Sequence, residues 1–221
     1  MTGKELDRAV HHQLRTLSKE NAEGVAKHLV MVAALLAADD LDGALAHAET
    51  AARRAGRVPA AREALGMVAY RLGDFARALS EFRTVKRLSG SHHLLPLMVD
   101  CERGLGRHER ALELAASPEV GSLAIEDRVE LAIVVSGIRR DLDQLEAAEV
   151  ALQIPATRLA RQQPWAARLF YAQAEVALAQ GRREDARDLF AKSLDADLEL
   201  VTDAGERLAE LDGVTVEWDD T

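Results

Sequence analysis

The chain has 221 residues, of which 48% are hydrophobic and 29% are charged. This composition is typical of a folded globular protein and excludes a largely disordered chain. The formal net charge is -9, so the protein as a whole repels a phosphate backbone, and general binding of nucleic acid is disfavoured. RNA binding would need a contiguous basic face despite the negative net charge of the whole chain.

The first residues and the cysteine content bear on where the protein is found. The opening stretch, MTGKELDRAV, contains no apolar signal core, so secretion is not indicated. Cys101 is the one cysteine, which excludes an intrachain disulfide and fits a reducing compartment. The longest apolar run, Leu29 to Ala38, is about half the 20 or so residues that a membrane-spanning helix needs. We therefore expect a cytoplasmic protein with no membrane span.

Residues 1–20 carry a pattern typical of an amphipathic helix. Four apolar residues follow helical spacing there: Leu6, Val10, Leu14 and Leu17. Such spacing places the four side chains on one face, which would cover the end of the structure formed by the rest of the chain. The pattern predicts an N-terminal capping helix.

Residues 21–198 repeat one pattern several times. An alanine stands behind each break in the apolar pattern, and the residue four positions later is apolar, so the two share one face of a helix. The alanines are Ala44, Ala78, Ala111, Ala148 and Ala186, and their followers are Ala48, Phe82, Ala115, Leu152 and Phe190. The pattern predicts an array of five antiparallel helix pairs joined by short turns.

Glycines mark two features of these pairs. Gly73, Gly106 and Gly181 each follow a first helix, where a left-handed residue commonly ends a helix. The fourth pair has no glycine at this place. Gly66 lies instead inside a first helix, where glycine costs up to about 1 kcal/mol relative to alanine. We expect this cost to be offset by the close approach of a neighbouring helix.

Residues 199–221 are predicted to form a C-terminal capping helix and an acidic tail. Helical spacing relates four apolar residues of this segment, Val201, Ala204, Leu208 and Leu211. The stretch from Val214 to Trp218 then alternates apolar and polar residues, which fits an extended arm or a frayed tail. Repeat arrays need caps of this kind because an end repeat otherwise exposes its packing face.

Successive alanines of the pattern are 34, 33, 37 and 38 residues apart. This spacing resembles that of the tetratricopeptide repeat (TPR), as do the Leu65-Gly66 pair, the turn glycines and the alanine followed by phenylalanine. The resemblance is strong for residues 62–90 and fair for 28–56, 95–118 and 168–198. The whole chain also resembles a group of small actinobacterial TPR proteins, which indicates a bacterial source. The resemblance implies an all-α, right-handed α-solenoid of about five helix pairs with N- and C-terminal capping helices, whose first helices line a concave groove.

That groove is the candidate binding site. Repeat register places nine residues along it: Glu63, Met67, Tyr70, Arg71, Asp100, Arg103, Arg140, Tyr171 and Glu175. Three arginines on successive repeats would form a cationic strip, and arginine binds a carboxylate through two parallel hydrogen bonds, so an acidic peptide or a free C-terminus suits it. The arginines can equally pair with nearby carboxylates, among them Glu63, Asp100 and Glu102. The pattern leaves both interpretations open.

The sequence contains no catalytic or cofactor-binding constellation. Two adjacent histidine pairs, His11-His12 and His92-His93, have the wrong spacing for metal ligands, because neighbours on a helix point about 100° apart. Cys101 follows the apolar Met98 by three residues, so we expect a buried, structural thiol facing the companion helix. We therefore predict that the protein is not an enzyme and binds neither a cofactor nor a metal.

The leading functional prediction is a non-enzymatic module that binds a peptide or helix of a protein partner in the groove. Its specificity would come from the arginines and from Met67, Tyr70 and Tyr171. The alternative is a self-assembling or autoinhibited regulatory factor, which would use its N-terminal helix or C-terminal arm. That helix or arm would dock on another copy or occupy the groove, so a homo-oligomer is also within the prediction.

Overall fold

The computed structural model describes residues 3, 5–154 and 163–213. Within these ranges the chain forms α-helices and one 3₁₀ helix (Pro118–Ser122), with no strand. The α-helices are α1 (Arg8–Leu14), α2 (Lys19–Ala37), α3 (Leu41–Arg54), α4 (Pro59–Arg71), α5 (Phe75–Ser89), α6 (Leu95–Gly104), α7 (His108–Ala115), α8 (Ile125–Asp141), α9 (Leu145–Ala151), α10 (Ala166–Ala179), α11 (Arg183–Ala196) and α12 (Ala204–Asp212). The predicted all-α class is confirmed, and no described helix combines the length and hydropathy needed to cross a membrane.

The chain divides into two compact units, Met1–Ala111 and Leu112–Thr221. The first unit holds α1 to α6 and the start of α7, and the second holds the remainder. In the first unit α2 packs against α3, α3 against α4, α4 against α5, and α5 against α6. In the second, α8 packs against α9, α10 against α11, and α11 against α12. Helices that are consecutive in the sequence are therefore neighbours in space within each unit.

The same left-handed turn follows α2, α4, α6, α8 and α10. Its closing residue has a φ between 56° and 76° at each of five positions: Asp39, Gly73, Gly106, Asp143 and Gly181. The N–H of that residue donates to the carbonyl three residues earlier at 2.8–3.3 Å, and the following N–H donates to the carbonyl five residues before it at 2.8–2.9 Å. These two bonds form a Schellman motif, which satisfies carbonyl groups at the end of a helix.

Aspartate supplies the left-handed residue in two of these turns. The glycine that the sequence lacks in the fourth pair is replaced by Asp143, and Asp39 occupies the equivalent place after α2. Aspartate enters the left-handed region more readily than most residues because its short polar side chain forms local hydrogen bonds. The turn therefore persists without glycine, which the sequence pattern alone did not indicate.

The five predicted alanines lie where helices meet. Ala44, Ala78, Ala111, Ala148 and Ala186 are each 0% exposed. The ring of Phe82, four residues after Ala78, is also fully buried and lies against Gly66. A Cβ atom placed on Gly66 would lie 2.6 Å from Cε1 of that ring, so only glycine lets α4 and α5 approach this closely. The predicted close approach at Gly66 is observed.

Helix α1 closes one end of the first unit. Leu14 is buried in a cluster that includes Val25 of α2 and Ala61 of α4, and the other three apolar residues of the predicted N-terminal face join it partly buried. The helix is shorter than the predicted segment: it ends at Leu14, and a turn separates it from α2, which begins at Lys19. Ser18 is the N-cap of α2, and its Oγ accepts a hydrogen bond from the Asn21 N–H at 3.4 Å.

Helix α12 closes one end of the second unit. Ala204 packs with Ala186 and Phe190 of α11, and Leu208 and Leu211 join the cluster partly buried. Val201 is exposed and precedes α12, because the carboxylate of Asp197 accepts the N–H groups of residues 201 and 202 at 2.8 Å and holds a turn there. The predicted arm, Val214 to Trp218, lies outside the described residues.

Replacing Gly66 with alanine is expected to destabilise the protein by about 1–3 kcal/mol, because the new methyl group meets a ring that is packed on all sides. The gain in helix propensity, about 1 kcal/mol, is too small to reverse that loss. Urea unfolding followed by far-ultraviolet circular dichroism measures the change.

Gly205→Ala is the matched control for this prediction. Gly205 is also helical, but a Cβ there would meet its nearest neighbour, a Leu194 methyl group, at an ordinary 3.7 Å. We expect this variant to be as stable as the parent or slightly more stable. Equal stability of Gly66→Ala and the parent would contradict the packing described for α4 and α5.

The aspartate turn gives a second prediction. Asp143→Gly should be more stable than Asp143→Ala by about 1 kcal/mol, because a Cβ disfavours the left-handed conformation whereas glycine adopts it freely. At the exposed Asp188 inside α11 the order should reverse, since glycine is the poorer residue within a helix by about 1 kcal/mol. The same order at both positions would show that the backbone at residue 143 is not left-handed in solution.

Candidate functional site

All nine residues predicted to line the groove lie on first helices of the pairs. Helix α4 carries Glu63, Met67, Tyr70 and Arg71, and α6 carries Asp100 and Arg103, so six of them belong to the first unit. Helix α8 carries Arg140, and α10 carries Tyr171 and Glu175, so three belong to the second unit. The nine residues therefore divide into two groups, one in each unit.

Tyr70, Asp100 and Arg103 form one cluster across α4 and α6. The hydroxyl of Tyr70 donates a hydrogen bond to Oδ2 of Asp100, and Nη1 of Arg103 donates to Oδ1 at 3.2 Å. The Tyr70 ring meets the Phe75 ring edge-on, with centroids 5.8 Å apart. Phe75 is the first residue of α5, so this contact holds the Tyr70 ring against the start of that helix. The Tyr70 hydroxyl in turn orients the Asp100 carboxylate.

The remaining predicted residues of α4 have partners on other elements or are half-buried. Nη2 of Arg71 lies 2.8 Å from Oδ1 of Asp39, and the two side chains are 47% and 78% exposed. Oε1 of Glu63 lies 3.3 Å from Nε2 of His93, which precedes α6. Met67 is half-buried. The first-unit residues therefore form one exposed ion pair, between Arg71 and Asp39, and a contact between Glu63 and His93, both beside the Tyr70 cluster.

In the second unit Glu175 connects two arginines. Its Oε2 accepts from Nη2 of Arg140 at 2.9 Å, and its Oε1 accepts from Nη2 of Arg207 at 2.8 Å. The guanidinium of Arg207 also lies over the Phe190 ring, 5.6 Å from its centroid, where a cation is attracted to the ring face. Glu175 thus links α8 and α10 to the terminal helix α12.

Tyr171 faces the same terminal helix. Its ring meets Phe190 edge-on, with centroids 5.3 Å apart. Burial raises the pKa of the Tyr171 hydroxyl, and a hydrogen bond to Asp203 raises it further. The hydroxyl is therefore neutral and bonds to Asp203, which lies just before α12. The C-terminal end of the described chain thus contacts both Tyr171 and Glu175.

The three groove arginines each lie beside a carboxylate. Arg71 pairs with Asp39, Arg103 with Asp100, and Arg140 with Glu175. Of the carboxylates expected to pair with them, only Asp100 does so, whereas Glu63 binds a histidine and Glu102 binds other arginines. The geometry is that of the pairing interpretation. Binding of a partner along the strip remains a prediction.

Sequence reasoning missed Arg207 and Asp39 as partners of the site. Arg207 shares a helix face with Ala204 and Leu211, at spacings of three and four residues, so the terminal helix register could have placed it near α10. Asp39 carried no such signal, because its left-handed φ was not evident from the sequence. Both residues reach the site from neighbouring elements.

The thiol and the histidines show no reactive arrangement. Cys101 is fully buried, as predicted, and burial raises the pKa of its thiol to about 12, so it stays protonated near neutral pH. Nδ1 of His28 lies 2.9 Å from Nδ1 of His47, a pair that the sequence did not indicate. Burial, followed by the neighbouring His47, lowers the pKa of His28. Across residues 3, 5–154 and 163–213, no three side chains of His, Cys, Asp or Glu converge as metal ligands would.

Comparison with known proteins places this arrangement in a recognised fold. No protein-family model matches the chain. No curated protein matches it by sequence. Among solved structures, it is similar to TTC0263, a thermophilic TPR protein of Thermus thermophilus, with a TM-score of 0.69 and 22% identity over 86% of this chain and 100% of that chain.

Two further structures are similar over most of the chain. Pseudomonas aeruginosa pilF matches with a TM-score of 0.59 and 16% identity, covering 88% of this chain and 87% of that chain. A chain of the APC/C hetero-tetramer Cut9-Hcn1 matches with a TM-score of 0.68 and 15% identity, covering 95% of this chain and 40% of that chain. The repeated helix pairs and their turns agree with these likenesses, and the chain has the tetratricopeptide-repeat fold.

Proposed function

We propose that the protein is a non-enzymatic interaction module that holds a peptide or helix of a protein partner on its first helices. The cluster of Tyr70, Asp100 and Arg103 is the observation that carries the proposal. It presents an aromatic ring, a carboxylate and a guanidinium from two successive first helices, with the exposed Arg71 beside it. Tyrosine and arginine are among the residues most enriched at the energetic centres of protein interfaces.

The ion pairs of this surface can be exchanged for pairs with a partner. An exposed pair such as Arg71 with Asp39 contributes only about 0–1 kcal/mol to stability, so replacing its carboxylate with one from a partner costs little. The half-buried Met67 and the face of Tyr70 add apolar contact area beside the charges. An acidic peptide segment is therefore the partner chemistry that suits the surface.

Two other observations support an interaction module rather than an enzyme. The thiol of Cys101 is buried and protonated, and the shifted Tyr171 hydroxyl is held by Asp203 and the aromatic packing of the second unit. One of the similar structures comes from a protein assembly, the APC/C hetero-tetramer Cut9-Hcn1. We place the protein in the cytoplasm, where a single free thiol stays reduced.

The self-assembly alternative has less support. The apolar face of α1 packs against α2 and α4 within the first unit, so it is not presented to a second copy. The other segment invoked by that alternative, Val214 to Trp218, lies outside the described residues. Neither segment offers a described surface on which the alternative can be argued.

The double variant Arg71→Glu, Arg103→Glu should lose its partner while keeping its fold. We expect recovery of crosslinked partners from the native cells to fall by about tenfold, because two attractive charges become repulsive. Affinity purification with quantitative mass spectrometry measures the recovery. The Cys101 thiol, which is buried on α6, reports the fold: it should remain unreactive towards an aromatic disulfide until the protein unfolds.

The control variant Arg53→Glu, Arg57→Glu makes the same charge change on α3 and the turn after it, where both arginines are exposed. It should recover the same partners as the parent chain. Partner recovery that is unchanged in the Arg71, Arg103 variant, with the thiol still protected, would show that these residues do not bind the partner.

A further inference from the structure

A cleft in the first unit gathers positive charge away from the groove residues. It lies along one face of α5 and the turn between α6 and α7, with a volume of about 400 Å³. Arg83, Arg87 and Arg107 line it together with the hydroxyl groups of Ser80 and Thr84. No carboxylate is among its lining residues, in a chain whose net charge is -9.

A buried carboxylate holds two of these arginines in place. Glu102 is 2% exposed, and its Oε1 lies 2.8 Å from Nη2 of Arg83, while its Oε2 lies 3.4 Å from Nη1 of Arg107. Nη2 of Arg110 approaches Oε1 of the same carboxylate at 3.8 Å. A buried carboxylate needs a cationic partner, but one arginine is enough to balance its charge.

The cleft therefore carries surplus positive charge. Three arginines share one carboxylate, and Arg87 is a further cation for which the described residues supply no ion-pair partner. The side chains of Arg83 and Arg107 remain 49% and 48% exposed, so each can bind Glu102 on its inner side and a ligand on its outer side. Glu102 thus orients the guanidinium groups without neutralising the cleft.

We propose that this cleft binds the phosphate group of a phosphate monoester. Guanidinium groups match the geometry of phosphate through parallel hydrogen bonds, and a dianion gains more from several surplus charges than a single carboxylate does. The Ser80 hydroxyl supplies a neutral donor in the same cleft. The site lies on a second helix and a turn, so it is independent of the partner surface proposed for the first helices.

The phosphate group has two possible sources, a phosphorylated side chain of a peptide or a small phosphorylated compound. Titration calorimetry at low ionic strength, where charge interactions are least screened, separates them. The probes are inorganic phosphate, a phosphoserine peptide, the same peptide unphosphorylated, and the same peptide with glutamate in place of phosphoserine. Sodium chloride at matched ionic strength is the control for general screening.

The variants Arg87→Gln and Arg107→Gln should each weaken phosphate binding by about tenfold, because each removes one charge-assisted contact. Arg53→Gln is the matched control, since Arg53 is an exposed arginine of the same unit whose Nη2 donates to the Thr50 hydroxyl. It should bind like the parent chain. Protection of the Cys101 thiol again shows that each variant is folded.

Two results would support the site and identify the source. Tighter binding of the phosphoserine peptide than of inorganic phosphate assigns a phosphorylated chain, and equal binding of the two assigns a small phosphorylated compound. Three results would overturn the proposal: no binding of either phosphate probe, unchanged binding in both arginine variants, or equal affinity for the phosphoserine and glutamate peptides.

Discussion

A residue in the left-handed conformation ends the first helix of each pair, and the rest of the repeat depends on it. The two Schellman hydrogen bonds reverse the chain within a few residues, so the second helix returns along the first. The offset from the left-handed residue to the buried alanine is the same in every pair, as from Gly73 to Ala78 and from Asp143 to Ala148. The spacing between successive buried alanines varies along the chain, whereas each alanine follows its left-handed residue by five positions. The variation in repeat length therefore lies outside the turn and the start of the second helix.

Sequence reasoning succeeded where a residue type has one strong physical role. The buried alanines and the mid-helix Gly66 were identified because a small residue at a helix contact leaves a periodic signal. It failed where the outcome depends on a conformation or a partner from elsewhere in the chain. Nothing in the local sequence distinguishes Asp143 from an ordinary exposed aspartate, yet its φ of 56° makes it equivalent to glycine in the other turns.

At the candidate site, too, the sequence indicated the positions of residues but not the partners that they contact. Helix register was sufficient to place Tyr70 and Asp100 on the first helices of successive pairs, although it did not indicate the hydrogen bond between them. It was not sufficient to assign ion-pair partners, because long charged side chains reach several neighbours and their choice depends on how separate elements pack. Arg71 therefore pairs with Asp39, a turn residue 32 positions earlier. Glu102 likewise binds Arg83 and Arg107, which no periodic pattern relates to it. Net charge gave no indication of local charge either, since an acidic chain still concentrates arginines in one cleft.

The double ion pair of Glu175 makes the end of the array an integral part of the second unit. A single carboxylate receives Arg140 from α8 and Arg207 from α12, while Phe190 packs with Ala204 and lies under the Arg207 guanidinium. Shortening the chain before α12 would leave one oxygen of a half-buried carboxylate without its arginine and would expose an aromatic ring to water. A shorter fragment that keeps these contacts must therefore include α12 through Asp212 and cannot end with the last repeat.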